Sequence, residues 1–135
     1  MKTLVLGASP NPDRYSNMAV NKLVKYGHEV IAIGNQKGQI GEIDIEQEQK
    51  PYNGIDTVTL YLNPERQKEY IPYILSLKPR RIIANPGTES AETKSIADAN
   101  GIAYEEACTL VLLQIGEYWI RMNTELTINE IVYSK

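Results

Sequence analysis

The loop after the first apolar run carries the residues best suited to binding an anion. It reads GASPNPDRYSN over residues 7–17 and precedes a segment with helical periodicity. Ser16 is expected to cap the N-terminus of that helix through its hydroxyl. The remaining free N–H groups and the positive end of the helix dipole would favour a phosphate, to which Arg14 could add a charge-assisted hydrogen bond. The alternative is a proline-rich connector with an ordinary helix cap.

A lysine follows the second predicted strand, where a typical NAD site has an acid. The G-x-G-x-x-G fingerprint has three glycines in six positions, whereas Gly7 is followed by no glycine until Gly27. NAD sites also use a carboxylate near the end of the second strand for a ribose hydroxyl, but residues 34–37 read Gly-Asn-Gln-Lys. Lys37 suits a ribose phosphate instead. NADP and coenzyme A each carry one, so the residues leave both cofactors open.

Strand-like and helix-like patterns alternate along the chain and must position these residues. Strands are predicted at 3–6, 29–33, 57–62, 81–84 and 102–104, and helices at 18–26, 64–77 and 90–100. Pro72 is expected to kink the second helix or to mark a restart, and residues 35–54 are predicted to be a loop with one short extended piece. The type of the segment from Cys108 onwards is left open, with a possible edge strand at 127–133.

This alternation predicts an α/β fold of one domain over residues 1–135. We expect a doubly wound, mostly parallel sheet with helices on both faces, in other words a Rossmann-like three-layer sandwich. In such sheets ligands bind outside the carboxyl ends of the strands, where the strand order reverses. Four loops are therefore candidates: Ala8–Tyr15, Asn35–Gly41, Asn63–Pro64 and Asn85–Glu89.

Composition narrows the class of protein and the kind of partner. The chain has 135 residues, 42% hydrophobic and 23% charged, which are globular values, and no apolar run approaches the ~20 residues that span a bilayer. The single cysteine, Cys108, excludes an internal disulfide, and we expect a soluble, cytoplasmic protein. A net charge of −3 argues against nucleic acid as a partner. Residues 1–40, however, hold five basic and two acidic side chains, which suits a small anionic ligand or reflects scattered surface lysines.

The opening segment resembles a known family. The sequence GASPNPDRYSNMAVNKLVKYGHEVIAIGNQKGQIGE is similar to the start of the small stand-alone CoA-binding domains, whose pattern is G-A-S-x-x-P-x-R-x-S, an amphipathic helix, G-[YH]-x-V and a strand ending in N-P-K. More distantly, it resembles the CoA-binding domain of the succinyl-CoA synthetase α subunit. The likeness continues at YLNPE (61–65), NPGT (85–88) and ACTL (107–110), and so covers roughly residues 3–118. Gln36 departs from the family, which has proline at that position.

The resemblance implies a Rossmann-like domain that holds coenzyme A or an acyl-CoA. Residues that match the family's phosphate loop are Gly7, Ala8, Ser9, Arg14, Ser16 and Asn17. Residues that would border the adenosine are Lys37, Leu62 and Asn63, and residues that would line the pantetheine side are Asn85, Pro86 and Gly87.

No arrangement of side chains predicts catalysis or a metal site. His28, the only histidine, precedes the second strand at the edge away from the ligand loops and is interpreted as a surface residue. Cys108 begins an apolar run and is expected to pack, while Glu105 and Glu106 are interpreted as solvated. The expected function is a module that binds a nucleotide cofactor and has no catalytic set, with a homodimer or protein partner possible. An NADP-dependent oxidoreductase and a ligand-free regulatory module are the alternatives.

Overall fold

Strands and helices alternate along residues 2–118, which are the residues that the computed structural model describes. The strands are β1 (Lys2–Leu6), β2 (Glu29–Ile33), β3 (Gln39–Ile40), β4 (Ile43–Glu46), β5 (Thr57–Leu60), β6 (Arg81–Ala84) and β7 (Ala103–Glu106). The helices are α1 (Tyr15–Lys25), α2 (Pro64–Gln67), α3 (Ile71–Leu77), α4 (Ala91–Ala99) and α5 (Thr109–Gln114), and a 3₁₀ turn at Lys68–Tyr70 joins α2 to α3.

The strands form one sheet in the order β3-β4-β2-β1-β5-β6-β7. All neighbours are parallel except β3 and β4, which form an antiparallel hairpin at one edge. The chain runs outwards from β1 to β2 and β4, and then returns to the other side of β1 to form β5, β6 and β7. The six parallel strands therefore follow the doubly wound order of the Rossmann fold, and the order reverses between β1 and β5. The predicted fold class is confirmed.

Two apolar cores lie on the two faces of the sheet. Successive residues of a strand point to opposite faces, so Leu4 and Leu6 pack towards α3 and α4, whereas Val5 packs towards α1 and α5. All residues of β5 and β6 are buried, as expected for central parallel strands covered on both sides. The result is the predicted arrangement of helix layer, sheet and helix layer.

Several boundaries differ from the sequence prediction. Helix α1 begins at Tyr15, three residues before the predicted start. The segment 35–54 contains the β3–β4 hairpin, and β4 joins the main sheet beside β2. The predicted break near Pro72 is present, because Pro72 lies in the first turn of α3. The segment after Cys108 begins as α5, whereas the possible edge strand at 127–133 lies outside the described residues. Every helix within residues 2–118 is too short or too polar to cross a membrane.

Candidate functional site

A cavity of about 520 Å³ opens at the carboxyl ends of β1 and β5, where the strand order reverses. Its volume lies within the usual range of small-molecule sites. All four loops that the sequence indicated contribute to its lining. Nine of the twelve predicted site residues line the cavity: Gly7, Ala8, Ser9, Arg14, Ser16, Leu62, Asn63, Pro86 and Gly87. The other three, Asn17, Lys37 and Asn85, do not.

The start of the first loop is held against the ends of two strands. The backbone N–H groups of Gly7 and Ala8 both donate to the carbonyl of Ile33, at 2.8 and 2.9 Å. Gly7 has a φ of +97°, and a Cβ added to it would lie 2.9 Å from the backbone of Tyr61. Only glycine combines this left-handed conformation with so close an approach. The loop therefore begins at a fixed position beside β2 and the end of β5.

Side chains of the first loop fix the rest of its course. The hydroxyl of Ser9 accepts from the N–H of Asn11 at 3.1 Å, and the Asn11 side chain accepts from the N–H of Asp13 at 2.9 Å. The buried Asn17 donates its side-chain amide to the carbonyl of Ser9 at 3.0 Å. Asn17 thus positions the loop from behind, without lining the cavity.

The N-terminus of α1 borders the cavity and has no side-chain cap. Arg14, not Ser16, is the N-cap residue, so the prediction that Ser16 caps the helix is wrong. The helix starts earlier because Tyr15 and Ser16 already have helical backbone, which places Ser16 inside the first turn, where it is buried and still lines the cavity. The first-turn N–H groups therefore remain available to an anion.

A second wall is formed by α2 and the residues before it. Asn63 caps α2, because its side-chain oxygen accepts from the N–H of Arg66 at 2.9 Å. Gln67 is completely buried, and its Nε2 donates to the carbonyls of Leu62 and Thr88, both at 2.7 Å. One buried amide thus joins the loop after β5 to the loop after β6. Asparagine before proline is a recognisable helix start, but Gln67 has no comparable sequence signal.

The loop after β6, residues 86–88, forms a third wall of the cavity, and Asn85 supports this loop from inside the protein. Its Nδ2 donates to the hydroxyl of Thr59 at 2.6 Å and to the carbonyl of Leu60 at 2.9 Å. Its Oδ1 accepts from the N–H of Thr109, the first residue of α5, at 2.9 Å. These bonds hold the Asn85 side chain away from the cavity, so that the neighbouring Pro86 and Gly87 line it.

Eight further lining residues were not named individually as site residues, although four of them lie within the predicted loops. They are Tyr15, Gly34, Asn35, Gln36, Tyr61, Arg66, Tyr70 and Thr88. The structure explains why position 34 is glycine, because a side chain there would collide with the carbonyl oxygen of Ala8. A glycine directly after an apolar strand is the signal that could have identified it.

The lining has a positive electrostatic character. Among residues 2–118, Arg14 and Arg66 are its charged members, and no aspartate or glutamate of that part of the chain lines the cavity. Lys37 is exposed outside the cavity. Burial, with a smaller contribution from the neighbouring Cys108, raises the pKa of Tyr61 far above its ordinary value, so this lining phenol stays neutral. The cavity therefore favours an anionic ligand.

The residues considered for catalysis lie elsewhere. His28 is half-buried rather than on the open surface, and its ring meets that of Tyr118 edge-on at 5.0 Å. Cys108 is half-buried directly before α5 and does not line the cavity. Glu105 is 3.6 Å from the guanidinium of the buried Arg81, so it is an ion-pair partner rather than a freely solvated group. Within residues 2–118 no cluster of three metal-binding side chains is present.

The reversed strand order and the cavity beside an uncapped helix define a Rossmann-like α/β protein with a site suited to an anion. More specifically, the chain belongs to the CoA-binding domain family, because the family model described as "CoA binding domain" matches residues 1–114. The resemblance seen in the sequence is thereby confirmed.

Solved structures agree with this family and fold. The crystal structure of an uncharacterized protein is 47% identical, covers 87% of this chain and 97% of that chain, and has a TM-score of 0.85. Cell-free ID.343 from Thermus thermophilus is 18% identical. The match covers 87% of this chain and 90% of that chain, with a TM-score of 0.73. A hypothetical protein from Pyrococcus horikoshii OT3 is 20% identical. The match covers 81% of this chain and 78% of that chain, with a TM-score of 0.74. These two low identities show the fold alone. No curated protein matches the chain.

Proposed function

We propose that this protein binds coenzyme A or an acyl-CoA in the cavity between the ends of β1 and β5. The observation that carries the proposal is the cavity lining of a CoA-binding-family chain, which combines an uncapped helix N-terminus with two arginines and no lining acid. These groups fit the phosphates of coenzyme A, because free N–H groups, a helix dipole and guanidinium groups all favour phosphate oxygens.

In the proposed arrangement, the first loop and α1 hold the pyrophosphate. Gly7, Ala8 and Ser9 supply backbone close to the ligand, while Arg14 and Ser16 approach it from the start of the helix. Asn17 keeps this loop in place through its bond to Ser9. The rigid loop reduces the conformational entropy lost on binding, because these internal hydrogen bonds already hold its backbone in place before the ligand arrives.

The rest of the ligand would follow the remaining walls of the cavity. We place the adenosine against residues 34–36 and the pair Leu62 and Asn63, and the pantetheine beside Pro86 and Gly87. Lys37 is left without a direct role, and Asn85 supports the pantetheine side from behind. Coenzyme A would supply a thiol for acyl chemistry, and the role proposed for this chain is to bind and orient the cofactor.

Calorimetric titration tests the proposal and separates it from an NADP-binding function. The parent protein is titrated with coenzyme A, acetyl-CoA, NADP, NAD and ADP. We expect coenzyme A to bind more tightly than NADP and NAD. In a parallel melting experiment, coenzyme A at 100 times its Kd should stabilise the fold by ~2.7 kcal/mol.

Three other outcomes would contradict the proposal. Preference for NADP would replace the proposal with the oxidoreductase alternative. Absence of binding by all five compounds would favour a ligand-free regulatory module. Equal affinity for NAD and coenzyme A would also contradict the proposal, because residues 34–37 lack the carboxylate that an NAD ribose requires.

A further inference from the structure

Arg66 is a cation of the cavity that the sequence pattern did not indicate. Its exposed side chain extends from α2 and lines the cavity, on a different element from Arg14. Within residues 2–118 Arg66 forms no ion pair, and the neighbouring Glu65 pairs with Lys68 at 3.2 Å. The guanidinium is thus close to the ligand space and is not neutralised by an acid of its own helix.

The backbone that carries Arg66 is held on both sides. Before it, the Asn63 side chain accepts its N–H at 2.9 Å. After it, the fully buried Gln67 side chain bonds to two carbonyls and also accepts from the hydroxyl of Thr93 at 2.8 Å. A short helix so anchored keeps Arg66 beside the cavity, which reduces the ordering cost of binding.

The number of anionic groups in coenzyme A indicates which of them Arg66 could bind. This step rests on the proposed function. Coenzyme A carries two separate anionic groups, the pyrophosphate and a phosphate on the ribose. With the pyrophosphate at the first loop and Arg14, the remaining cation that the described residues 2–118 contribute to the lining is Arg66. Lys37, the residue that the sequence suggested for the ribose phosphate, lies outside the cavity.

We propose that Arg66 binds the ribose phosphate and makes the protein prefer coenzyme A to 3′-dephospho-CoA. Arginine suits this role, because its planar fork donates two parallel hydrogen bonds to phosphate oxygens. Its site is open to solvent, which weakens the interaction relative to a buried pair. We expect the ribose phosphate to increase affinity about tenfold through this residue.

The test is a calorimetric comparison of coenzyme A and 3′-dephospho-CoA on four proteins: the parent, Arg66→Ala, Arg66→Lys and Lys25→Ala. Lys25→Ala is the control, because Lys25 is an exposed cation in α1 that does not line the cavity and forms no ion pair within residues 2–118. We expect Arg66→Ala to lose about tenfold in affinity for coenzyme A and to bind 3′-dephospho-CoA as the parent does. Arg66→Lys should recover part of the loss, and Lys25→Ala should match the parent.

The possible results separate this inference from the proposed function. A parent that binds neither compound contradicts the function itself. A parent that binds both equally, or an Arg66→Ala variant that keeps its preference for coenzyme A, overturns the role of Arg66 while leaving the function intact. An equal loss of both ligands also overturns it, because Arg66 would then contact the pyrophosphate or support the fold. Melting temperatures of the unliganded proteins distinguish those two causes.

Discussion

Replacing Gln67 by methionine should destabilise the protein strongly, although the two side chains are similar in length. Gln67 is completely buried and uses both ends of its amide. Its Nε2 donates to the carbonyls of Leu62 and Thr88, and its Oε1 accepts from the hydroxyl of Thr93. Methionine fills the same space with an apolar chain and provides neither the donors nor the acceptor.

The size of the effect follows from the groups that are left without partners. Two carbonyls and one hydroxyl lose their bonds to Gln67, and a buried polar group without a partner costs about 1–3 kcal/mol. Because neighbouring losses are not additive and the loops can relax, we expect the free energy of unfolding to fall by about 3–5 kcal/mol. Typical domains have a total of about 5–15 kcal/mol, so the change removes a large part of the stability.

Urea unfolding of the two proteins measures this change directly. The urea concentration at the midpoint should fall. The slope of the unfolding free energy against urea should stay the same, because unfolding exposes the same surface area in both proteins. Gln47→Met is the matched control, because Gln47 is exposed and makes one bond, at 3.2 Å to the carbonyl of Asn35. The control should remain within about 0.5 kcal/mol of the parent. A loss below about 1 kcal/mol in Gln67→Met would refute the view that this amide holds the two loops together.

Three further predictions concern the site and the pH dependence. Arg14→Ala should leave the unliganded melting temperature nearly unchanged and weaken coenzyme A about tenfold to a hundredfold by calorimetry, whereas parent-like affinity would contradict the phosphate loop. Alkylation of Cys108 should leave that affinity unchanged, since the thiol does not line the cavity, and loss of binding at an unchanged melting temperature would contradict this expectation. Burial raises the pKa of Tyr73 from 10.0 to about 12, so its stabilising contribution is complete below pH 10 and is lost as the pH rises towards 12. Urea midpoints between pH 8 and pH 11.5 should therefore fall less steeply in Tyr73→Phe than in the parent.

Local patterns were sufficient to predict most of the fold. The periods that distinguish strands from helices depend on residues only a few positions apart. The alternation of strands and helices then predicted the doubly wound sheet. The rule that ligands bind where strand order reverses then identified the four loops that line the cavity. The β3–β4 hairpin within residues 35–54 was missed, because its short strands contain few apolar residues and are defined by pairing with each other and with β2.

The site shows most clearly which information is local and which is tertiary. The sequence by itself indicated that the loop at residues 7–17 belongs to the site, because glycine, serine and arginine at that spacing before a helix suit an anion, and the structure places residues of this loop in the cavity lining. Only the tertiary structure decided that Arg66 lines the cavity while Lys37 does not, and that Gln67 joins two of its walls. The physical reason is that the direction of a side chain depends on how its element packs against distant parts of the chain, and residue type and spacing do not contain that information.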